Sequence, residues 1–162
     1  MAVIVKPIET EEELRGKAYV HWKAWHEAYA GLIPDAYLDT VTEEKCLRIA
    51  LRWPDNLLCA VDGDRVIGFA GYGSYRDDSL PDTGEIFALY VLREYYGTGA
   101  GRLLMEEALR RLNGYSAAAL WVLRDNRRAI RFYEKCGFAP DGTEQIIDLG
   151  APLTEIRMIR SF

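Results

Sequence analysis

The sequence has no excess of basic residues: 20 Lys and Arg stand against 25 Asp and Glu, for a formal charge of −5. Nucleic-acid binders carry a basic face or stripe, so no nucleic-acid partner is expected; a mildly acidic chain suits a cationic small partner somewhat better. Histidine is scarce. The two that occur, His21 and His26, are five apart and share no helix face well, so no metal site is expected there. The three cysteines, Cys46, Cys59 and Cys136, are odd in number, widely spaced and without a CxxC pair. That excludes a disulfide framework and points to buried thiols in a reducing compartment. No window approaches the roughly 18 apolar residues of a membrane span. The opening MAVIVKPIETEEELRGK runs from a short apolar stretch into acids, unlike a signal peptide. No membrane partner is expected, and the expected location is cytoplasmic.

What is present is a globular composition, 49% hydrophobic and 28% charged, which rules out a disordered chain. The length suits one domain with a full core, residues 1–162. Val3 to Pro7 reads as a strand. Thr10 with Glu13 forms a capping box and opens a helix, along which Leu14, Ala18, Trp22, Trp25 and Tyr29 recur at helical spacing until Gly31 and Pro34 stop it. Asp35 to Val41 suggests a short second helix. Thr42 caps a third that ends near Trp53. The period then changes to that of strands. Leu57 to Val61, a turn at Asp62-Gly63, and Arg65 to Tyr72 predict a hairpin. After the polar loop from Tyr75 to Gly84 comes a strand, Glu85 to Leu92.

A helix returns from Arg102, with Leu104, Ala108 and Leu112 on one face, and Asn113-Gly114 ends it. Ala117 to Leu123 is a strand. Ala129, Phe132, Tyr133 and Cys136 mark another helix, closed by Gly137, and Phe138 to Leu149 and Leu153 to Phe162 are two closing strands. The strand–helix–strand unit from Glu85 to Leu123 implies parallel strands, whereas the hairpin is antiparallel. The fold class is therefore α/β: a mixed, mostly antiparallel sheet with flanking helices.

Three glycines, Gly97, Gly99 and Gly101, stand where a strand hands over to a helix. Glycine costs about 1 kcal/mol relative to alanine inside a helix, so a bare backbone must be needed. A helix N-terminus presents unpaired N–H groups and partial positive charge. Glycines there let an anion reach the backbone, Arg102 adds a cation, and no carboxylate lies between Tyr95 and Met105. The run is neither a Walker loop, since no GK[ST] follows, nor a GxGxxG fingerprint. By themselves these residues leave phosphate binding and a plain glycine-rich turn both open.

Two motifs go further. The segment YGTGAG, Tyr96 to Gly101, resembles the [QR]xxGx[GA] pyrophosphate signature of the GCN5-related N-acetyltransferase (GNAT) superfamily. It matches at Gly99 and Gly101 and departs at Tyr96, where the family has Gln or Arg. Downstream, NRRAIRFYEKCGF, Asn126 to Phe138, resembles the family's NxxAxxFYxxxGF run. The element order fits the superfamily over nearly the whole chain.

The resemblance implies acetyl transfer from acetyl-CoA, without a metal, to a primary amine of a small molecule or peptide by direct attack. It implies that the strands around Glu85–Leu92 and Ala117–Leu123 splay apart and hold the pantetheine arm beside Leu89, Tyr90 and Val91. Tyr96, Gly97, Thr98, Gly99, Ala100, Gly101 and Arg102 would take the pyrophosphate, and Asn126 and Ala129 would approach the cofactor from the next helix. Tyr133 matches the family's general acid: a phenol of pKa about 10 stays protonated at neutral pH. Glu85 is the candidate base. Trp25, Tyr29 and Tyr37 would line the acceptor side, where aromatic faces suit a cation; the W–AY–GLIP–YL arrangement resembles the polyamine and small-amine branch. A homodimer fits the resemblance. A catalytically silent CoA-binding domain and a different nucleotide-binding enzyme are the alternatives.

Overall fold

A computed structural model describes residues 2–162. The elements run β1 (Val3–Pro7), α1 (Glu11–Tyr29), α2 (Asp35–Leu38), α3 (Glu43–Arg52), β2 (Leu57–Asp62), β3 (Arg65–Ser74), β4 (Thr83–Val91), a 3-10 turn (Arg93–Tyr95), α4 (Ala100–Arg111), β5 (Ala117–Leu123), α5 (Arg127–Lys135), β6 (Ala139–Asp148) and β7 (Pro152–Ser161). The capping box forms as its residues require. Thr10 Oγ1 accepts from the Glu13 N–H at 3.1 Å, and Glu13 Oε1 accepts from the Thr10 N–H at 3.1 Å. Lys6 donates to the same carboxylate, and these bonds hold the Glu13 carboxyl at a pKa of about 2. Thr42 caps α3 in the same way, accepting from the Lys45 N–H.

Several boundaries differ from the sequence expectation: β3 runs on to Ser74, and β4 begins at Thr83, two residues before Glu85. The hairpin turn is Gly63-Asp64, because Asp62 still pairs with Arg65. The second helix is a single turn ending at Leu38. The helix after the glycines begins at Ala100, two residues before Arg102, because Gly99 serves as its N-cap.

Seven strands form one sheet in the order β1-β2-β3-β4-β5-β7-β6. Every neighbouring pair is antiparallel except β4–β5. Helices cover both faces. Phe69 and Tyr90, opposite one another on β3 and β4, turn toward α1, where the His21 ring lies 5.9 Å from Phe69. Their neighbours Gly68 and Val91 turn the other way, toward α4; a methyl on Gly68 would stand 3.1 Å from Leu104 Cδ1. The main core lies between sheet and helices and includes Leu58, Ile67, Phe69, Leu104, Leu120 and Met158. Burying an aliphatic or aromatic side chain of this size contributes about 1.5–3 kcal/mol. All three cysteines are buried and unbridged, and burial pushes the Cys59 thiol up to about 11.

The parallel pair decides where a site can be. Its ladder has three rungs, Thr83↔Ala117, Gly84↔Ala118 and Glu85↔Ala119. Beyond them β4 follows β3 as far as Val91, while β5 follows β7 as far as Leu123. A register shift between Gly71 and Tyr72, opposite Phe87, bends β4 at the point of parting. The sheet therefore opens like a V between β4 and β5.

Candidate active site

The V leads into a cavity of about 1110 Å³ that reaches from the glycine turn to α1 and β7. Beyond Glu85, β4 has no partner on its β5 side, so its free edge from Ile86 to Val91 lines the cavity. Leu89, Tyr90 and Val91 stand there as expected. The N–H of Leu92, one residue on, is already taken by the Ile67 carbonyl.

At one end lies the turn. Gly97 and Gly99 have φ of 75° and 92°, a region that side chains disfavour. Nothing stands within 4 Å of where their Cβ atoms would be, so the backbone is bare toward the cavity. Gly101 has a different reason: a methyl there would meet the Phe132 ring at 3.3 Å, so its bareness lets α5 pack on α4. The helix starts with no side-chain cap and no acid in its first turn. The first N–H groups of a helix have no partner within it, and Gly99, Gly101 and Arg102 face the cavity. Thr98 and Ala100 do not. The Thr98 hydroxyl turns back to the Tyr95 carbonyl at 2.6 Å, and Ala100 is buried in the core.

Tyr96, the departure from the signature, lines the cavity and carries a cation. The Arg128 guanidinium lies over its ring, 3.5 Å from the centroid. Arg128 was not foreseen. The only sequence signal is the pair of arginines after Asn126, and the stacking needs α4 and α5 side by side. Asn126 caps α5, its Oδ1 accepting from the Ala129 N–H at 3.3 Å, and both residues line the cavity.

Tyr133 lies deeper. Its ring packs edge-on against Phe132 and Phe138 at 5.6 and 6.3 Å. Burial pushes its phenol well above the ordinary 10. Tyr29 and Tyr90 meet across the α1 side, hydroxyl to hydroxyl at 3.0 Å, and burial raises both. Trp25 stands edge-on to Tyr29 at 4.8 Å; its indole N–H is buried near the Tyr90 hydroxyl without a bond of good geometry. Trp25 and Tyr29 line the cavity, but Tyr37 does not. Its ring packs on Gly150 and in the apolar clusters behind α1.

Glu85 is fully buried at the fork. It is not a free carboxylate. Arg76 Nε bonds both oxygens at 3.2 Å, its Nη2 closes a third bond, and its backbone N–H adds a fourth at 3.2 Å. The polar loop before β4, which gave no signal in the sequence, thus supplies the partner of the expected base. Two more unforeseen residues line this end, Trp121 on β5 and Glu155 on β7. Glu155 accepts from Gln145 at 2.8 Å. Of the two histidines, His26 donates to the Val41 carbonyl at 2.8 Å and His21 stacks near Tyr90. Among the described residues no group of three or more His, Cys, Asp or Glu converges, and no helix is long and apolar enough to cross a membrane.

The sequence fits the acetyltransferase (GNAT) family over residues 19–138. The chain belongs to the GNAT family. Membership makes it an acetyl-CoA-dependent acetyltransferase. It is similar to an uncharacterized N-acetyltransferase, YuaI, of Bacillus subtilis, with 30% identity over 76% of this chain and 73% of that one. It is also similar to the mycothiol acetyltransferase of Nocardia farcinica, with 35% identity over 58% of this chain but 33% of that protein. Among solved structures, the PaiA N-acetyltransferase of Thermoplasma acidophilum in complex with coenzyme A superposes over 100% of both chains. Its TM-score is 0.76 and its identity 24%, a likeness of fold. As a GNAT fold, the sheet has its parallel pair at the expected place, and the mixed α/β expectation holds.

Proposed function

We propose that this chain, as one domain over residues 1–162, moves the acetyl group of acetyl-CoA onto a primary amine of a small molecule or peptide. The fork between β4 and β5 carries the reading, because it joins an anion-binding end to an acid within one cavity. Acetyl-CoA supplies the acetyl group as a thioester. The N–H groups of Gly99, Gly101 and Arg102 hold its diphosphate at the positive end of α4. Arg128, stacked on Tyr96, restores the polar N–H donor that the signature's Gln or Arg would bring. The free edge of β4 from Leu89 to Val91 aligns the pantetheine amides as an added strand would, and a main-chain N–H at Val91 steadies the carbonyl oxygen as charge gathers on it.

The amine enters from the α1 side, past Trp25 and Tyr29, with Trp121 and Glu155 opposite. Aromatic faces and a carboxylate both favour a cation. One proton leaves the ammonium before attack and passes to water. The C–N bond then forms, the C–S bond breaks, and Tyr133 donates to the departing sulfur. The second amine proton returns the phenol to its neutral state, so one proton is released per turnover. Glu85, tied to Arg76, anchors the fork, and water rather than a free Glu85 carboxylate takes the first proton. Buried, unbridged thiols suit a cytoplasmic setting.

A relative at 35% identity over 48% of this chain is named a peptidyl-lysine N-acetyltransferase, which favours including peptide amines among the acceptors tried. Thiol release from acetyl-CoA over a panel of polyamines, small amines, amino acids and lysine peptides, with mass detection of products, tests the reading. Acetylated product from at least one amine is expected. CoA binding with no turnover on any amine would favour the silent domain instead.

A further inference from the structure

A second cavity, of about 420 Å³, lies on the α1 face of the sheet, between α1, the end of α3 and strands β3 and β4. Its volume is in the range of small-ligand sites. Trp25, Phe87, Ala88 and Tyr90 line both cavities and form the partition between them. Its walls are aromatic: Phe69 and Tyr72 on β3, Phe87 on β4 and Trp53 after α3. Trp53 and Phe87 are 65% and 52% exposed, so the mouth is open and flanked by two large rings that pack little against the core.

The polar lining of this cavity is mixed: Asp55, Asn56, Tyr72 and Tyr90 stand beside two basic residues. Lys17 and His21 line it from one face of α1, four residues apart. Lys17 is only 5% exposed, and its ammonium lies 4.8 Å above the Phe69 ring. Among the described residues it has neither a carboxylate nor a hydrogen-bond partner. The His21 Nδ1 is buried and also unpartnered. Charged side chains are almost never this deep unless paired, and buried polar atoms are nearly always bonded. Burial accordingly lowers the Lys17 amine below its ordinary 10.5. It brings His21 to about 4, helped by the nearby charges of Lys17 and Lys45. His21 is therefore neutral at pH 7, and Lys17 is the one cation in the lining. Asp55 on the rim is the one acid in the lining, and it disfavours a ligand with a second negative charge.

We propose that this cavity binds a small apolar or aromatic monocarboxylate, its carboxylate on Lys17 and His21 and its body among Phe69, Phe87 and Trp53. A carboxylate accepts from the Lys17 ammonium and from His21 in its Nδ1–H tautomer, and gives that ammonium the partner that the protein withholds. The rings supply an apolar slot for a flat body. The site is independent of acetyl transfer, since none of its donors belongs to the cleft.

Benzoate is the probe, titrated into the full chain with intrinsic tryptophan fluorescence and ligand-observed NMR as readouts. Saturable binding is expected, and it should persist when CoA fills the main cleft. Benzyl alcohol, with the same ring and no charge, should bind about tenfold more weakly or worse, as loss of a charge-assisted bond implies. Lys17→Met should weaken benzoate to the same extent. Trp53→Ala, at a position 65% exposed, should weaken it as well and serves if the Lys17 variant does not fold. Absence of saturable binding, equal binding of benzyl alcohol, displacement by CoA, or benzoate binding unaffected by Lys17→Met or by Trp53→Ala would each overturn the proposal.

Discussion

Replacing Tyr133 with phenylalanine removes one hydroxyl from the wall of the cleft and nothing else. Among the described residues no protein group is bonded to that hydroxyl, so Tyr133→Phe orphans no partner, and the ring keeps its packing on Phe132 and Phe138. The loss should therefore be confined to the donor that meets the leaving sulfur. General acids contribute about 10²–10⁴ in rate. Burial holds the phenol well above 10, above a thiol of about 8.5, so Tyr133 gives a strong hydrogen bond rather than a fully transferred proton at the barrier. That places the effect in the lower half of the range, about 10²–10³, or roughly 2.7–4 kcal/mol of barrier. The assay is steady-state thiol release with the best amine of the panel, beside calorimetric CoA binding and a melting curve. We expect kcat to fall by that factor, CoA affinity to change by less than about threefold, and the melting temperature to hold. Because the phenol stays protonated past pH 10, it adds no alkaline fall in kcat below that pH. A kcat within about threefold of the parent would refute the role of Tyr133 as acid; a loss of CoA affinity as large as the rate loss would make it a packing residue.

Arg128→Ala should weaken CoA about fivefold, from the loss of a cation worth about 1 kcal/mol. Tyr96→Ala should do the same, and the double variant should add little to either if the two act as a pair; additive losses by calorimetry would separate them. Gly99→Ala forces a side chain into a left-handed N-cap with φ 92°, which costs about 1–2 kcal/mol of stability and places a methyl where the diphosphate is held. Equal melting and equal CoA affinity would contradict that geometry. Glu85→Gln should lower the melting temperature, because the buried partner of Arg76 is lost, while the pH profile of kcat/KM keeps its acid limb; loss of that limb would return Glu85 to the role of base. Glu13 and Glu107 are held at about 2, below the ordinary 4.5, mainly by hydrogen bonds from Lys6 and from Arg110 respectively. Folded values below unfolded ones mean that their stabilisation is full above pH 4.5 and is lost as pH falls toward 2. Melting curves should decline across that window, and less steeply in Glu13→Gln; a flat profile there would count against both pairings.

The fold was legible where local chemistry acts alone. The capping box at Thr10, the cap at Thr42, the 3.6 period of α1 and α4, and the bounds of β1 and β5 all depend on neighbours within a few residues. Misplaced boundaries arose where pairing decided. Asp62 looks like the first turn residue until Arg65 is found opposite it, and Arg102 looks like the helix start until Gly99 adopts a left-handed conformation. The candidate site divides in the same way. The glycines, Asn126 and Tyr133 lie on two contiguous motifs and could be read. Arg76, Trp121, Glu155 and Arg128 come from four separate elements, and only the tertiary fold brings them to one cavity.

The same division explains why Glu85 reads differently in sequence and in space. As a residue type at the head of an apolar strand it has the makings of a base. The polar loop from residue 75 to 82 turns back over the fork and delivers Arg76, whose backbone N–H and guanidinium together engage both oxygens. The ion pair thereby serves the shape of the fork. Glu85 sits on the last rung of the β4–β5 ladder, so holding its side chain fixes the point at which the strands part. On the proposed route, proton removal from the amine falls to solvent at the open α1 side, which predicts a rate that follows the free-amine fraction of the acceptor rather than the titration of any protein carboxylate.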